Sequence, residues 1–509
     1  MNKMLNGMKS TTNFTYTENG ALTHKSSLSG LLDLFGLGAA YRKRSDEDCI
    51  VLFQKAYNED PIHALKCLFY LRDVRGGQGE RRFFRVVTKW LAAHETEAMR
   101  RNLKYVPEFG RWDDLYVFVG TKLERDAFKL MEEQIKLDIT CKTPSLLAKW
   151  LKSENTSSED SRMLANKTRA AFGLNHRQYR KMLSALRARI NVVERLMSAG
   201  KWDEIEFDKI PSKAGFIYRN AFARHDIERM KSEKQVRTYE DFMKDKTTKV
   251  NAETLYPYEV VAKAYKLTRN AGYSYWGDYH SFEIANSTER NAIDKYWDNL
   301  KDYFNGCTLD ALCMIDTSGS MWGAEASAPI NVAISIGLYA AERARGPFAG
   351  HYISFSSRPQ LIETVGVDFC DKVQRIYKTN LCDNTNIEAA FDMLLNTAIK
   401  NHCTQDDLPK SIVIVSDMEF DSQRGYYGRS DRTLMENIAT KWAQYGYQMP
   451  HLVYWNVDAR HDNVPMSVKD GVTLVSGFSP VIFEQIMKGK TAYDLMFDKL
   501  DSERYACIK

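Results

Sequence analysis

Apolar and polar residues follow two different rhythms along this chain. From Asp46 onward, apolar side chains recur every three or four positions, as at Cys49, Ile50, Leu52, Phe53 and Ala56. That spacing puts them on one face of a helix. His63 to Leu71, Phe83 to His94, Leu123 to Ile135, Leu146 to Leu151 and Val193 to Met197 repeat it, with short joints between. Paired helices with short joints predict an α-solenoid of the HEAT kind, either an open arc or a closed ring. Near residue 310 the rhythm changes. Short apolar runs at Asp310 to Ile315, His351 to Phe355, Gln360 to Val365, Ile412 to Ser416, His451 to Asn456 and Val472 to Val475 predict strands. Helical stretches at Ala328 to Ala344, Cys370 to Tyr377, Ile387 to Ala398, Leu434 to Tyr445, Pro480 to Lys488 and Ala492 to Leu500 separate or follow them. Strands alternating with helices predict a doubly wound α/β sheet.

The opening stretch fits neither rhythm. Residues 1–30 are rich in Thr, Ser, Asn and Gly, which predicts an extended arm, at best partly ordered. Leu31 to Ala40 is apolar, but Gly36 and Gly38 argue against a long helix there. A helix over Ile284 to Leu300 joins the two parts, and the boundary falls near 301–308. The chain therefore reads as an arm (1–30), a helical repeat domain (31–304) and an α/β domain (305–509).

One strand of the second part ends in candidate chemistry. Leu312-Cys313-Met314-Ile315 runs into Asp316-Thr317-Ser318-Gly319-Ser320. A carboxylate and two hydroxyls at alternate positions make a hard, oxygen-rich site that suits Mg²⁺ or another divalent cation. The plainer reading is a polar loop in which Ser318 or Ser320 caps the next helix. Thr385, just before the helical run from Ile387, and Asp417, at the end of Ser411 to Ser416, favour the metal, because ends of parallel strands share one rim. Asp316, Ser318, Ser320, Thr385 and Asp417 resemble the metal-ion-dependent adhesion site of von Willebrand factor A domains. That resemblance implies a von Willebrand A-like fold and an ion whose shell a partner's carboxylate completes. Trp322, just after the loop, reads as a packing residue.

Composition narrows the function classes. With 509 residues, 44% hydrophobic and 27% charged, the chain is long enough for at least two folded domains. No apolar run approaches the length of a membrane span, and Met1 to Ser10 has no apolar signal core. Nine scattered cysteines with no Cys-x-x-Cys pair predict reduced thiols in a cytoplasmic setting.

The net charge of +5 hides an asymmetry. Residues 1–300 hold 51 Lys and Arg against 40 Asp and Glu, a net of +11, while 301–509 hold 20 against 26, a net of −6. The basic excess peaks at 161–190, which contains Arg162, Lys167, Arg169, Arg177, Arg180, Lys181, Arg187 and Arg189 and no Asp or Glu. A solvated helix normally mixes in acidic residues. Either this is a surface for a nucleic-acid backbone, with His176 available to stack on a base, or it is a solvated face with Leu174, Tyr179, Leu183 and Leu186 packed inward. A second basic feature is the turn Arg75-Gly76-Gly77-Gln78-Gly79-Glu80-Arg81. Its amides could nest a phosphate beside Arg75 and Arg81, or it is simply a helix–helix turn.

Several stretches carry a wider resemblance. They are Val106-Pro107-Glu108-Phe109-Gly110-Arg111-Trp112-Asp113-Asp114-Leu115, Leu146-Leu147-Ala148-Lys149-Trp150, Gly173-Leu174-Asn175-His176-Arg177-Gln178-Tyr179-Arg180-Lys181 and Phe222-Ala223-Arg224-His225-Asp226. They resemble the TROVE domain of the Ro60 autoantigen family, over roughly residues 12–500. The glycine-rich turn and Ser416-Asp417-Met418-Glu419-Phe420 look more like an uncharacterised branch of such proteins in microbes, plants and phages. The resemblance implies a ring of HEAT-like helix pairs joined to a von Willebrand A-like domain. It also implies a nonenzymatic protein that binds structured noncoding RNA on its outer surface and the 3′ ends of misfolded RNA in its hole. Bacterial relatives act with exoribonucleases. Lys167, Arg169, His176 and Arg177 fall on the family's RNA surface; the basic run adds Arg180 as an RNA contact, and Arg75 and Arg81 are further candidates across the glycine-rich turn. A monomer is expected. The rival expectation is a metal-dependent protein adaptor or a virion-type structural component. An enzyme is disfavoured, because the position two residues after Asp316 is Ser318 and not the second carboxylate of Asp-x-Asp phosphatases.

Overall fold

A computed structural model describes residues 12–190, 192–232, 234, 236–269, 287–304, 310–355, 358–379, 384–421, 433–465, 472–486 and 491–509. Expectations that fall on residues 1–11, 284–286, 305–309 and 487–488 lie outside these. The fold is mixed: a helical region, then a mostly parallel six-stranded sheet flanked by helices.

The described part of the arm, residues 12–30, lies against the body. Phe14–Tyr16 (β1) and Leu22–His24 (β2) form an antiparallel hairpin. It is held from outside, since the backbones of His24 and Val464 exchange both N–H···O bonds. Gly30–Leu37 is a short helix of two turns, and at Gly38 it gives way to a 3-10 segment, Gly38–Lys43. Ser29 caps the helix by accepting from the Leu32 N–H, and its apolar residues are buried.

Between Asp46 and Asp298 the described elements are helical. Their starts follow local chemistry. Ser45 and Asp48 form a capping box on Asp46–Glu59; Asp60 caps Pro61–Arg72, with proline at the first position; Ser158 caps Glu159–Ala171. Two stretches of the family resemblance serve structure here. Asp114, fully buried, accepts from Arg72 Nε at 2.9 Å and Nη2 at 2.7 Å and from Arg85 Nε at 2.7 Å. His225 stacks on Trp202 with centroids 3.7 Å apart, and Asp226 accepts from the amides of Tyr239 and Glu240.

The sheet contains Ala311–Asp316 (β3), His351–Phe355 (β4), Gln360–Glu363 (β5), Ser411–Ser416 (β6), His451–Asn456 (β7) and Thr473–Ser476 (β8). Their order is β5-β4-β3-β6-β7-β8, with β5 antiparallel at one edge and the other pairs parallel. Strand order therefore reverses between β3 and β6, and in such sheets ligands bind at that crevice. Gly337 of helix Pro329–Arg343 lies against β3, where an added Cβ would collide with Ile315.

The two sheet faces have different fates. Leu312, Met314, Ile412, Ile414, Leu452 and Tyr454 point into a local core with helices Ile387–Lys400 and Leu434–Gln444. Cys313, Ile315, Val413, Val415, Val453 and Trp455 point into a core that runs on into the helical region. Helix Pro257–Arg269 packs on Pro329–Arg343 and Phe369–Thr379, and Gly30–Leu37 packs on β8. The C-terminal segment returns the other way. Tyr505 stacks on Phe109 and donates to Asp73, which Arg504 also holds, and the Lys509 amide donates to Asn102. The chain order thus splits near 301–308, but the packing does not. Among the described residues no helix is long and apolar enough to cross a membrane.

Candidate metal rim and basic helical face

β3 and β6 end side by side. Asp316 is fully buried; its Oδ1 accepts the Ser318 amide at 2.9 Å and its Oδ2 accepts the Ser416 hydroxyl at 2.5 Å. Ser318 and Ser320 Oγ lie 3.2 Å apart. Asp417, also buried, accepts the Glu419 amide on Oδ1 at 3.2 Å. Met418 between them has φ 66°, a left-handed conformation that non-glycine residues seldom adopt. Thr385 joins less directly: its carbonyl accepts the Asp421 amide at 3.0 Å, and its hydroxyl lies 3.4 Å from Asn19 Nδ2. Trp322 packs at the edge and donates its indole N–H to the Thr317 carbonyl.

The electrostatics of this rim favour a cation. Burial pushes Asp316 up, and the neighbouring Asp417 charge pushes it further; burial likewise raises Asp417. Asp417 Oδ2 accepts no hydrogen bond, although Arg460 Nη2 stands 3.1 Å away. Two crowded buried carboxylates and two adjacent hydroxyls form a donor set that fits Mg²⁺, once Arg460 yields its place at Asp417 Oδ2. Asp316, Ser318, Ser320 and Asp417 would hold it, with Thr385 nearby.

The basic stretch meets a different fate. Arg187 turns inward and donates to the carbonyls of Ala148 and Leu151 and to Ser153 Oγ; burial pushes its guanidinium down. Arg189 donates to the carbonyls of Asp138, Ile139 and Cys141, where helix Glu124–Thr140 ends. Lys167 pairs with Glu124 at 3.1 Å; Arg169 and His176 both reach Glu154, at 3.0 and 2.8 Å. Arg177, Arg180 and Lys181 stay exposed on helix His176–Ile190, while Tyr179, Leu183 and Leu186 are buried beneath them.

Most amides of the glycine-rich turn are used by the turn itself. The amides of Gln78, Gly79 and Glu80 donate to the carbonyls of Tyr70, Asp73 and Leu71, and that of Arg75 donates to the Asp73 carboxylate. Gln78 is buried, and Gly79 has φ 63°, which admits the tight turn. These four amides are engaged within the turn and are not offered to an anion, while the Asp73 carboxylate joins the turn to Arg504 and Tyr505 of the C-terminal segment. Arg75 and Arg81 remain exposed. Arg75 donates to the Glu108 carbonyl; burial and the Arg111 and Arg85 charges push Arg81 down.

A family profile described as "Domain of unknown function (DUF2828)" matches residues 17–170 and 137–304, more than half of the chain. The chain belongs to that family. In this DUF2828 member a second profile, "Domain of unknown function (DUF7788)", matches residues 310–504, the sheet and its helices. The chain is also similar to a protein of Acanthamoeba polyphaga mimivirus named "Uncharacterized protein L728". The two are 29% identical over 515 residues, spanning 94% of this chain and 85% of the relative.

Some rim residues of this DUF2828 chain escape a reading of its sequence. The hairpin tip reaches the rim from residues 17–20. Thr17 Oγ1 donates to the Phe420 carbonyl at 2.6 Å, the Glu18 amide donates to Glu419 Oε2 at 2.6 Å, and Asn19 Nδ2 donates to the Glu419 carbonyl at 2.6 Å. Arg460, from the loop after β7, contacts Glu18 at 2.6 Å as well as Asp417. Glu419 stands two residues from Asp417, and a carboxylate so placed after an apolar strand was the one available signal. Nothing local marks Glu18, Asn19 or Arg460.

Proposed function

We propose that this chain is a nonenzymatic RNA-binding protein of the Ro type, which handles structured noncoding RNA or RNA 3′ ends. In this reading the helical region is a HEAT-like solenoid or ring and the sheet domain is von Willebrand A-like. Its rim holds Mg²⁺ and docks a carboxylate from an exoribonuclease or another protein. The protein works in the cytoplasm as a monomer. The observation that carries the RNA reading is the exposed set Arg177, Arg180 and Lys181 on one helix. It lies in a thirty-residue stretch without Asp or Glu, and among the described residues Arg177 and Lys181 have no acidic partner. Such cations bind phosphates and release counterions.

The test is a salt series with the full chain and a structured RNA bearing a single-stranded 3′ tail. Binding should weaken steeply as salt rises. Arg177→Glu with Arg180→Glu should weaken binding and flatten the slope, while Asp316→Ala changes neither. Arg169 is left intact in this test because it holds Glu154. Absence of tight binding at low salt, or indifference to the double reversal, overturns the reading.

A second reading, a metal-dependent protein adaptor or virion-type structural component, is favoured by one observation. Lys167, Arg169 and His176 are already engaged with Glu124 and Glu154. It would leave RNA unbound at low salt and make partner capture depend on Mg²⁺ and Asp316.

A further inference from the structure

Beside the Asp316 rim, three separate segments bring metal-binding side chains together. The hairpin supplies Glu18, the loop after β6 supplies the fully buried Glu419, and the loop after β7 supplies His461, whose side chain is 57% exposed. One ligand atom from each lies within 4.8 Å of the other two. His461 Nδ1 stands 3.0 Å from Glu419 Oε1. Two ligands of one tetrahedral ion, with bonds of about 2.0–2.1 Å, stand roughly 3.3 Å apart. That pair therefore needs little movement to share a cation. The Glu18 side chain is half exposed and pairs with Arg460 at 2.6 Å, a contact it would give up to join them.

A buried amide points to the same place. Asn463 is 2% exposed; its Nδ2 donates to Glu419 Oε1 at 3.0 Å, which leaves its Oδ1 with no donor. Reversing the amide would turn Oδ1 toward the carboxylate, an arrangement that becomes favourable when a cation lies between the two oxygens. The surroundings are rich in buried negative charge: Asp316, Asp417 and Glu419, faced by Arg460 and His461.

We propose that Glu18, Glu419, His461 and Asn463 form a second divalent-cation site that staples the N-terminal hairpin to the sheet rim. One imidazole among oxygen donors suits a borderline ion such as Zn²⁺ better than Mg²⁺. With the ion in place, Asn19 is locked beside Thr385, so approach to the first site from that side requires the second ion to leave.

The experiment titrates Zn²⁺ into the full-length protein by calorimetry with Mg²⁺ saturating. Glu18→Gln and His461→Ala should each lower Zn²⁺ affinity at least about tenfold, while Asp316→Ala leaves it intact. Hydrogen exchange supplies a second readout. Zn²⁺ should slow exchange of the amides of residues 17–24 in the wild type and not in His461→Ala. The exposed position of His461 makes that variant safe for folding. A wild type that binds no Zn²⁺ under these conditions, or a His461→Ala protein with undiminished affinity and the same protection, overturns the proposal. Neither outcome bears on the RNA salt series, so the two readings fail separately.

Discussion

The metal rim and the basic face carry their charge in opposite ways. Asp316 and Asp417 are about a hundred residues apart in the chain, yet both are buried at adjoining strand ends. The basic residues of 161–190 are neighbours in sequence, yet the fold disperses them. Arg187 turns inward onto carbonyls, Arg189 binds the carbonyls at a helix end from the surface, Lys167, Arg169 and His176 pair with Glu124 and Glu154, and Arg162, Arg177, Arg180 and Lys181 remain outside. Proximity along the chain is thus a poor guide to a charged surface. Position at the end of a parallel strand is a good guide to a shared rim, because the sheet aligns all such ends.

That contrast can be broken experimentally, most forcefully at the rim. Asp316→Ala should lower Mg²⁺ affinity by at least about a hundredfold in calorimetry, since it removes the buried carboxylate between Ser318 and Ser416. Arg177→Glu should leave Mg²⁺ binding unchanged. Equal affinity in the two variants would remove the distinction between the regions.

Within the basic stretch, stability separates the inward from the outward residues. Arg187→Ala loses three hydrogen bonds from a buried guanidinium and should cost about 2–4 kcal/mol in chemical denaturation. Arg177→Ala should stay within about 0.5 kcal/mol of wild type. A smaller effect sharpens the functional side. Glu154→Gln releases Arg169 and His176 from their shared carboxylate. RNA affinity should then rise a few-fold, and the salt slope should steepen by roughly one phosphate contact.

The smallest expected effect lies at the joint between the helical region and the sheet. Asp294 accepts the Phe369 amide, and burial pushes it up to about 6. A carboxylate raised in the folded state favours folding while protonated and loses that contribution as pH rises through its folded value. The wild type should therefore lose some stability between about pH 4 and pH 6.5 on account of this group. Asp294→Asn, which keeps the acceptor oxygen, should flatten that part of a denaturation-versus-pH profile. An unchanged profile would exclude ionisation of Asp294 as its cause.

Much of the fold was legible in residue order. The six apolar runs from Asp310 onward became the six strands, and Asp316 and Asp417 fall where the alternation of strands and helices puts them. The helix expected from Phe83 to His94 is observed as Arg82–His94. The helix over 30–37 is short, as Gly36 and Gly38 led one to expect, and burial of Leu31, Leu32, Leu34 and Phe35 against β8 and the neighbouring helices holds it. The misses share one cause. The acid-free stretch looked unpaired because Glu124 and Glu154 lie outside it. The glycine-rich turn looked like an anion cradle because its amides could not be traced to Tyr70, Leu71 and Asp73.

Local periodicity therefore determined which segments are helix and which are strand, and which strands end in Asp. These are properties of side chains a few residues apart. Tertiary structure alone decided that one face of the sheet shares a core with the helical region. It also decided that the arm reaches the rim, where the Glu18 amide meets Glu419 across 401 residues of chain. No repeat of two or 3.6 residues encodes such a meeting; the packing of whole elements decides it once they have formed.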